Sequence, residues 1–180
     1  MMFLSDNGGT DAGGAFGMGK AGDLNRKRVL KSSYGSGWGN ASNTPFRRYK
    51  GESHEGSTKS PLIVHWPERI RETGFRRQVA HIIDIVPTVL EATGAERVTE
   101  RNGKRVTPLQ GMSFLSSFSK ETDERRDLYW EHLGNRAARS GDWKISFRKK
   151  GKWELYDLSK DPTEMNDLSQ KFPEKMASLM

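Results

Sequence analysis

The chain opens Met1-Met2-Phe3-Leu4-Ser5-Asp6-Asn7-Gly8-Gly9, four residues of apolar run that stop abruptly at a polar turn carrying two glycines. That pattern predicts a short buried strand ending in a tight turn. In an open α/β sheet, ligands lie beyond the carboxyl ends of the strands, so Asp6 and Asn7 stand where a site would face them. A carboxylate and a carboxamide offer the hard oxygens that calcium takes, and the glycine that follows lets the backbone turn close to an ion. The same four residues are also an ordinary surface turn. On their own they do not choose between the two.

Working outward, Pro61-Leu62-Ile63-Val64-His65-Trp66-Pro67 is a second short apolar segment, bounded by prolines, and predicts another buried strand. Just before it lies Lys50-Gly51-Glu52-Ser53-His54-Glu55-Gly56. A lysine and a histidine in a glycine-bounded turn ahead of a strand can hold an anion, and they can equally be a charged surface turn. Residues 81–94 predict a helix, with Asp84 to cap it, Pro87 tolerated in the first turn and Gly94 to end it. His81 and Asp84 read there as structural, and the helix is expected to cover the sheet. Residues 95–107 are polar and contain Asn102-Gly103, an exposed turn.

From residue 127 the pattern changes to short aromatic-rich segments, 128–132, 135–139, 143–148 and 153–158, separated by turn residues such as Ser140-Gly141-Asp142. Alternation at that length with such breaks predicts a four-stranded antiparallel meander, followed by a helix over 173–180. The expected organisation is an α/β portion over residues 1–118 and a small antiparallel-sheet subdomain over 119–180.

Composition bounds what such a chain can do. Only 33% of its 180 residues are hydrophobic, but five Trp, eight Phe and four Tyr are spread through it, which argues for a folded chain. No apolar run approaches the roughly 20 residues needed to span a bilayer, and the N-terminus lacks the features of a secretory signal. Cysteine is absent, which removes thiolate metal sites and Cys nucleophiles. The net charge of +7 should attract anions. Twelve of the 19 glycines precede residue 57, so residues 8–50 are expected to be loop-rich, either a site surround or an insertion. Arg26-Lys27-Arg28, Arg47-Arg48, Arg76-Arg77 and Lys149-Lys150 allow a polyanion-binding module as an alternative. They are scattered and match no nucleic-acid-binding signature, so no nucleic acid partner is expected.

In order, Phe3 to Gly9, then Gly35-Ser36-Gly37-Trp38-Gly39-Asn40-Ala41-Ser42-Asn43-Thr44-Pro45-Phe46-Arg47, Lys50 to Gly56 and Pro61 to Pro67 resemble the later part of a sulfatase of the arylsulfatase type. Ile83 to Leu90, Trp130-Glu131-His132-Leu133-Gly134-Asn135-Arg136, Gly141-Asp142-Trp143-Lys144 and Trp153 to Leu158 continue the similarity, which covers nearly the whole chain. It implies an alkaline-phosphatase-like α/β sandwich, here partial, with a four-stranded antiparallel sheet and helix at its C-terminal end. It implies hydrolysis of sulfate esters on a sulfated small molecule or carbohydrate, with Asp6 and Asn7 as calcium ligands and Lys50 as the catalytic contact to sulfate. His54, His132, Asn135 and Arg136 are the candidate substrate-binding residues, and the family suggests a periplasmic or secreted protein. Phosphate or phosphonate ester hydrolysis is the alternative within the same superfamily.

The departures carry expectations too. The nucleophile that the family makes from Cys/Ser-x-Pro-x-Arg has no counterpart, because Asn43-Thr44-Pro45-Phe46-Arg47 begins with a residue that cannot be converted. Two side-chain donors fall short of the six to eight oxygens calcium takes, so further ligands are expected upstream of this chain. The chain by itself is expected to lack sulfate-ester hydrolysis, and Phe3, Leu62, Ile63 and Ile83 to be short of cover.

Overall fold

The computed structural model describes residues 1–14, 33–122 and 126–180, so the Arg26-Lys27-Arg28 cluster lies outside the described residues. The chain divides into two units, Val64–Arg125 with Met1, and Met2–Ile63 with Arg126–Met180.

The unit built on Val64–Arg125 is organised by Asp84. A 3-10 turn at Ile82–Asp84 runs directly into helix α3, Ile85–Thr93, which ends at Gly94 in the left-handed region (φ 68°). Asp84 was expected to cap this helix with its side chain. Instead its carboxylate turns back, accepting from the His81 backbone N–H at 2.7 Å, and also accepts from the Met112 N–H at 2.9 Å. The His81 ring accepts from the Ile83 N–H in return, a reciprocal cap on the 3-10 turn. Thr88 Oγ1 donates to the Asp84 carbonyl and accepts from the Phe114 N–H, above a Phe114–Phe118 edge-to-face pair. The turn at Asn102-Gly103 lies where expected, with both residues at positive φ, and joins two short strands, β3 (Glu100–Arg101) and β4 (Lys104–Arg105).

In the other unit, β1 (Met2–Leu4) pairs with β2 (Leu62–Val64). Their central residues Phe3 and Ile63 remain 66% and 56% exposed, so neither strand is buried as its apolar run suggested. The glycine-rich stretch is not all loop. Gly35–Asn43 is helix α1, and its buried residues Gly35, Gly39 and Asn43 recur every fourth position on one face. At Gly39 a Cβ would stand 2.5 Å from the Thr10 carbonyl oxygen, so glycine there permits a close backbone approach. The Thr44–Pro45 peptide is cis. A single helical turn, α2, covers Glu55–Thr58.

The meander forms as the sequence predicts. Strands β5 (Asp127–His132), β6 (Asn135–Ser140), β7 (Trp143–Phe147) and β8 (Trp153–Asp157) pair antiparallel in sequence order, and helix α4, Pro173–Leu179, follows. Cross-strand partners share a face, so the register sorts the sheet into two sides. One side carries Ala138, Ile145 and Leu155, with Trp143, Trp153 and residues Met176 and Leu179 of α4 packed on them. This is the apolar core.

The opposite side is polar along β7 and β8, and Lys144, Ser146 and Tyr156 there are fully buried. There Lys144 lies beside Tyr156, and Ser146 beside Glu154. Lys144 Nζ sits 2.7 Å from Glu55 Oε1 and 2.9 Å from Glu164 Oε1, while Glu164 Oε2 accepts from the Glu55 backbone N–H at 2.7 Å. α2 is therefore fixed to the sheet by charge rather than by apolar packing. Removing one partner of such a pair strands the others in a dry environment. Lys144→Met should lower unfolding free energy by about 3–5 kcal/mol, a large share of the roughly 5–15 kcal/mol of a typical domain. Urea titration checks this, and a loss under about 1 kcal/mol would contradict it.

Candidate functional site

The turn after β1 is stitched to the segment before β2 through backbone groups. Gly8 N–H donates to the Ser57 carbonyl at 3.1 Å, and the Gly9 carbonyl accepts from the Lys50 N–H at 2.9 Å. Asn43, the residue barred from becoming a nucleophile, is a buried clamp. Its Oδ1 accepts from Gly9 N–H at 2.7 Å and its Nδ2 donates to the Arg48 carbonyl at 2.8 Å. A Cβ on Gly8 would stand 1.7 Å from the Gly56 carbonyl oxygen, so no other residue fits there. These bonds bring Asp6, Asn7 and Lys50 to one corner. Asp6 and Lys50 are exposed and Asn7 half-buried.

The sheet closes on the same corner. Asn135 Nδ2 donates to the Gly51 carbonyl at 2.8 Å, its Oδ1 accepts from the Lys149 N–H at 2.9 Å, and a Cβ on Gly51 would lie 3.9 Å from the His132 ring. His132 and Asn135 are register partners on the polar side of the sheet. Arg136 is the neighbour of Asn135 and points to the other side, sharing its row with Glu131 and Phe147. The structure thus gathers the backbone segments that carry Asp6, Asn7, Lys50, His132 and Asn135, and sets Arg136 on the face that carries α4.

His54 has no exposed surface. Its Nε2 lies 2.8 Å from Glu154 Oε2, which also accepts from the Tyr156 hydroxyl at 2.8 Å. Arg47 completes the network, donating to Tyr156 Oη at 3.3 Å and to the Glu164 carbonyl at 2.7 Å. Burial pulls the imidazole down to about 4, against the opposing pull of Glu154. The ring is therefore neutral and donates from Nε2. Among the described residues its Nδ1 has no hydrogen-bond partner, with Glu52 Oε2 3.9 Å away. At Glu154 burial pushes the carboxyl upward, and the bonds from His54 and Tyr156 outweigh it, leaving the group below its usual range. At Glu164 burial wins over Lys144 and the carboxyl is raised.

Glu55, Lys144, Glu154, Tyr156 and Glu164 were not singled out from the sequence. The strand alternation available for β7 puts Lys144 and Ser146 on the face opposite Ile145, and that was the one signal pointing to a polar side.

For calcium, the donors at the corner are right in kind. Asn7 Nδ2 donates to the Gly8 carbonyl at 3.1 Å, which leaves Oδ1 as the atom able to face an ion beside the Asp6 carboxylate. They are few in number. Among the described residues no group of three or more His, Cys, Asp or Glu side chains could hold a metal ion.

Comparison with known proteins gives the family of the chain. The C-terminal family of N-sulphoglucosamine sulphohydrolase matches residues 48–179. An uncharacterized sulfatase of Schizosaccharomyces pombe is 31% identical over 155 residues, 82% of this chain and 28% of that protein. Human arylsulfatase K is 26% identical over 166 residues, 87% of this chain and 30% of that protein. The chain therefore spans less than a third of the length of these relatives. Among solved structures, a sulfatase from Pseudoalteromonas superposes with a TM-score of 0.64 at 20% identity, covering 99% of this chain and 34% of that one. A protein bound to its substrate D-glucosamine-2-N,6-O-disulfate superposes with a TM-score of 0.52 at 26% identity, covering 70% of this chain and 27% of that one. The expected fold class, a partial alkaline-phosphatase-like sandwich with a four-stranded antiparallel sheet and C-terminal helix, is the one observed.

The buried imidazole gives a signed pH dependence. A group whose folded pKa is depressed contributes stability that is complete above its unfolded value of 6.5 and is lost as pH falls toward about 4. Roughly 3 kcal/mol should disappear across that window. NMR titration of the His54 ring should give a midpoint near about 4, and a midpoint above about 6 would contradict the assignment.

Proposed function

Since the chain belongs to the C-terminal family of N-sulphoglucosamine sulphohydrolase, we propose that it supplies the sulfate-holding corner of an enzyme that hydrolyses sulfate esters. The observation that carries this reading is the pair of stitches on either side of Lys50. Gly9 accepts from the Lys50 N–H, and Asn135 donates to the Gly51 carbonyl. They fix the backbone that bears the exposed Lys50 side chain between the turn that carries Asp6 and Asn7 and the end of the sheet that carries His132.

In this reading the Lys50 ammonium faces a sulfate oxygen and stabilises the charge that grows as the S–O bond breaks. Asp6 and Asn7 would contribute this chain's share of a calcium site, and the ion would neutralise sulfate oxygens when bound. Asn135 has both ends of its carboxamide occupied by backbone, so it holds the corner in place, and His132 is the side chain left to approach the sugar or aryl part of the ester. His54 acts from beneath, fixing the segment that follows Lys50 through Glu154. Arg136, on the other face, takes no part at the corner. The solved neighbour bound to a disulfated glucosamine supports a sulfated carbohydrate as substrate. Without a Cys/Ser-x-Pro-x-Arg nucleophile in its 180 residues, the chain alone turns over no ester.

The test joins this chain to the preceding two-thirds of a relative's catalytic domain and follows 4-nitrophenyl sulfate hydrolysis. Lys50→Ala should lower kcat by about 10²–10³, the usual effect of removing one group that stabilises developing charge. Asp6→Ala should raise the calcium concentration needed for half-maximal rate. Rates and calcium dependence unchanged in both variants would remove these roles.

A further inference from the structure

The meander places both of its outer turns, residues 133–134 and 148–152, at one end of the sheet, and that is the end on which the Lys50 corner is docked. The second turn reads Arg148-Lys149-Lys150-Gly151-Lys152, with no acidic residue in it. Its outer cations are neutralised. Arg148 Nε lies 3.0 Å from Glu52 Oε2, and Lys152 Nζ lies 3.1 Å from Asp167 Oδ2. The inner two are not. Among the described residues neither Lys149 nor Lys150 makes an ion pair, and both are exposed. Position 150 also keeps a lysine at φ 69°, where glycine or asparagine would sit more easily.

This pair is held at a fixed place relative to Lys50. The single carboxamide of Asn135 takes the Lys149 N–H on its oxygen and gives its own N–H to the Gly51 carbonyl, so one side chain separates the two backbones. The stem of Lys149 lies along Gly134, where a Cβ would stand 3.3 Å from Lys149 Cδ. Beside it Leu133, 71% exposed and at φ 53°, offers an apolar tip next to the charges. Two exposed lysines with no ion-pair partner among the described residues, on a backbone tied through one carboxamide to the residue after Lys50 and bordered by an apolar side chain, match a chain of sugar rings that carries a second anionic group.

We propose that Lys149 and Lys150 form a second anion subsite, which takes a further sulfate of a multiply sulfated glycan whose first sulfate lies at Lys50. The proposal rests on the sulfate reading of that corner and names the substrate as an oligomer rather than a monosulfated small molecule.

The probe is a fully sulfated heparin-derived hexasaccharide, titrated calorimetrically into the 180-residue chain at several salt concentrations. K149Q/K150Q should weaken binding about tenfold and flatten the slope of log K against log salt by about one to two. The charge-matched K104Q/R105Q variant, in the β3–β4 hairpin, should stay within about twofold of the original chain. Unchanged affinity in K149Q/K150Q, or an equal loss in K104Q/R105Q, would overturn the subsite. So would an oligodeoxythymidylate of matched charge that binds as tightly and depends equally on the two lysines, because the surface would then take any polyanion. Lys50→Ala separates the two readings. No effect of that variant on the hexasaccharide overturns the sulfate corner, whereas no effect of K149Q/K150Q alone overturns only the second subsite.

Discussion

A lysine ammonium with no exposed surface, set in the middle of a β-sheet, is the constraint to which the rest of this chain answers. Lys144 is tolerable there only because Glu55 and Glu164 reach it at 2.7 and 2.9 Å from segments far away in the sequence. Burying the charge therefore fixes both segments. Once Glu55 is fixed, α2 lies against the sheet, with His54 on Glu154 and Ser57 receiving the Gly8 N–H. The turn after β1 and the Lys50 corner inherit their positions from that arrangement.

The two faces of the sheet divide the work. Ile145 and Leu155 pack with α4 and need only shape and hydrophobicity, a tolerant kind of contact. Lys144, Ser146, Glu154 and Tyr156 hold polar partners at defined distances, and a displaced partner leaves a desolvated group behind. The tolerant face anchors a terminal helix, while the exacting face anchors the residues proposed to meet substrate. Rigidity is in this way concentrated where a reacting group would need it.

Much of this was legible in the sequence, for identifiable reasons. The four strands announced themselves because alternation, aromatic residues and turn residues all agree over residues 127–158. Gly94 ends α3 because its left-handed conformation suits glycine. Helix α1 was hidden, since three glycines in nine residues argue against helix, and what holds it is the spacing of Gly35, Gly39 and Asn43 against neighbouring backbone. Glu164 sits in a polar turn and Glu55 in a charged one, where nothing local says that a buried ammonium lies across the fold. The nearness of the β1 turn to Lys50 came only from the family resemblance. The separation of Asn135 from Arg136 was available from simple alternation, which puts adjacent strand residues on opposite faces.

The central claim is that the Lys50 corner, held by this polar face, is where a sulfate group is taken. Amide chemical-shift mapping of the isolated chain during titration with inorganic sulfate addresses it most directly. The account predicts shifts confined to Gly8, Gly9, Lys50, Gly51 and the turn that bears Asn135, and their disappearance in the Lys50→Ala variant. Shifts centred elsewhere, or a pattern that survives loss of that ammonium, would contradict it.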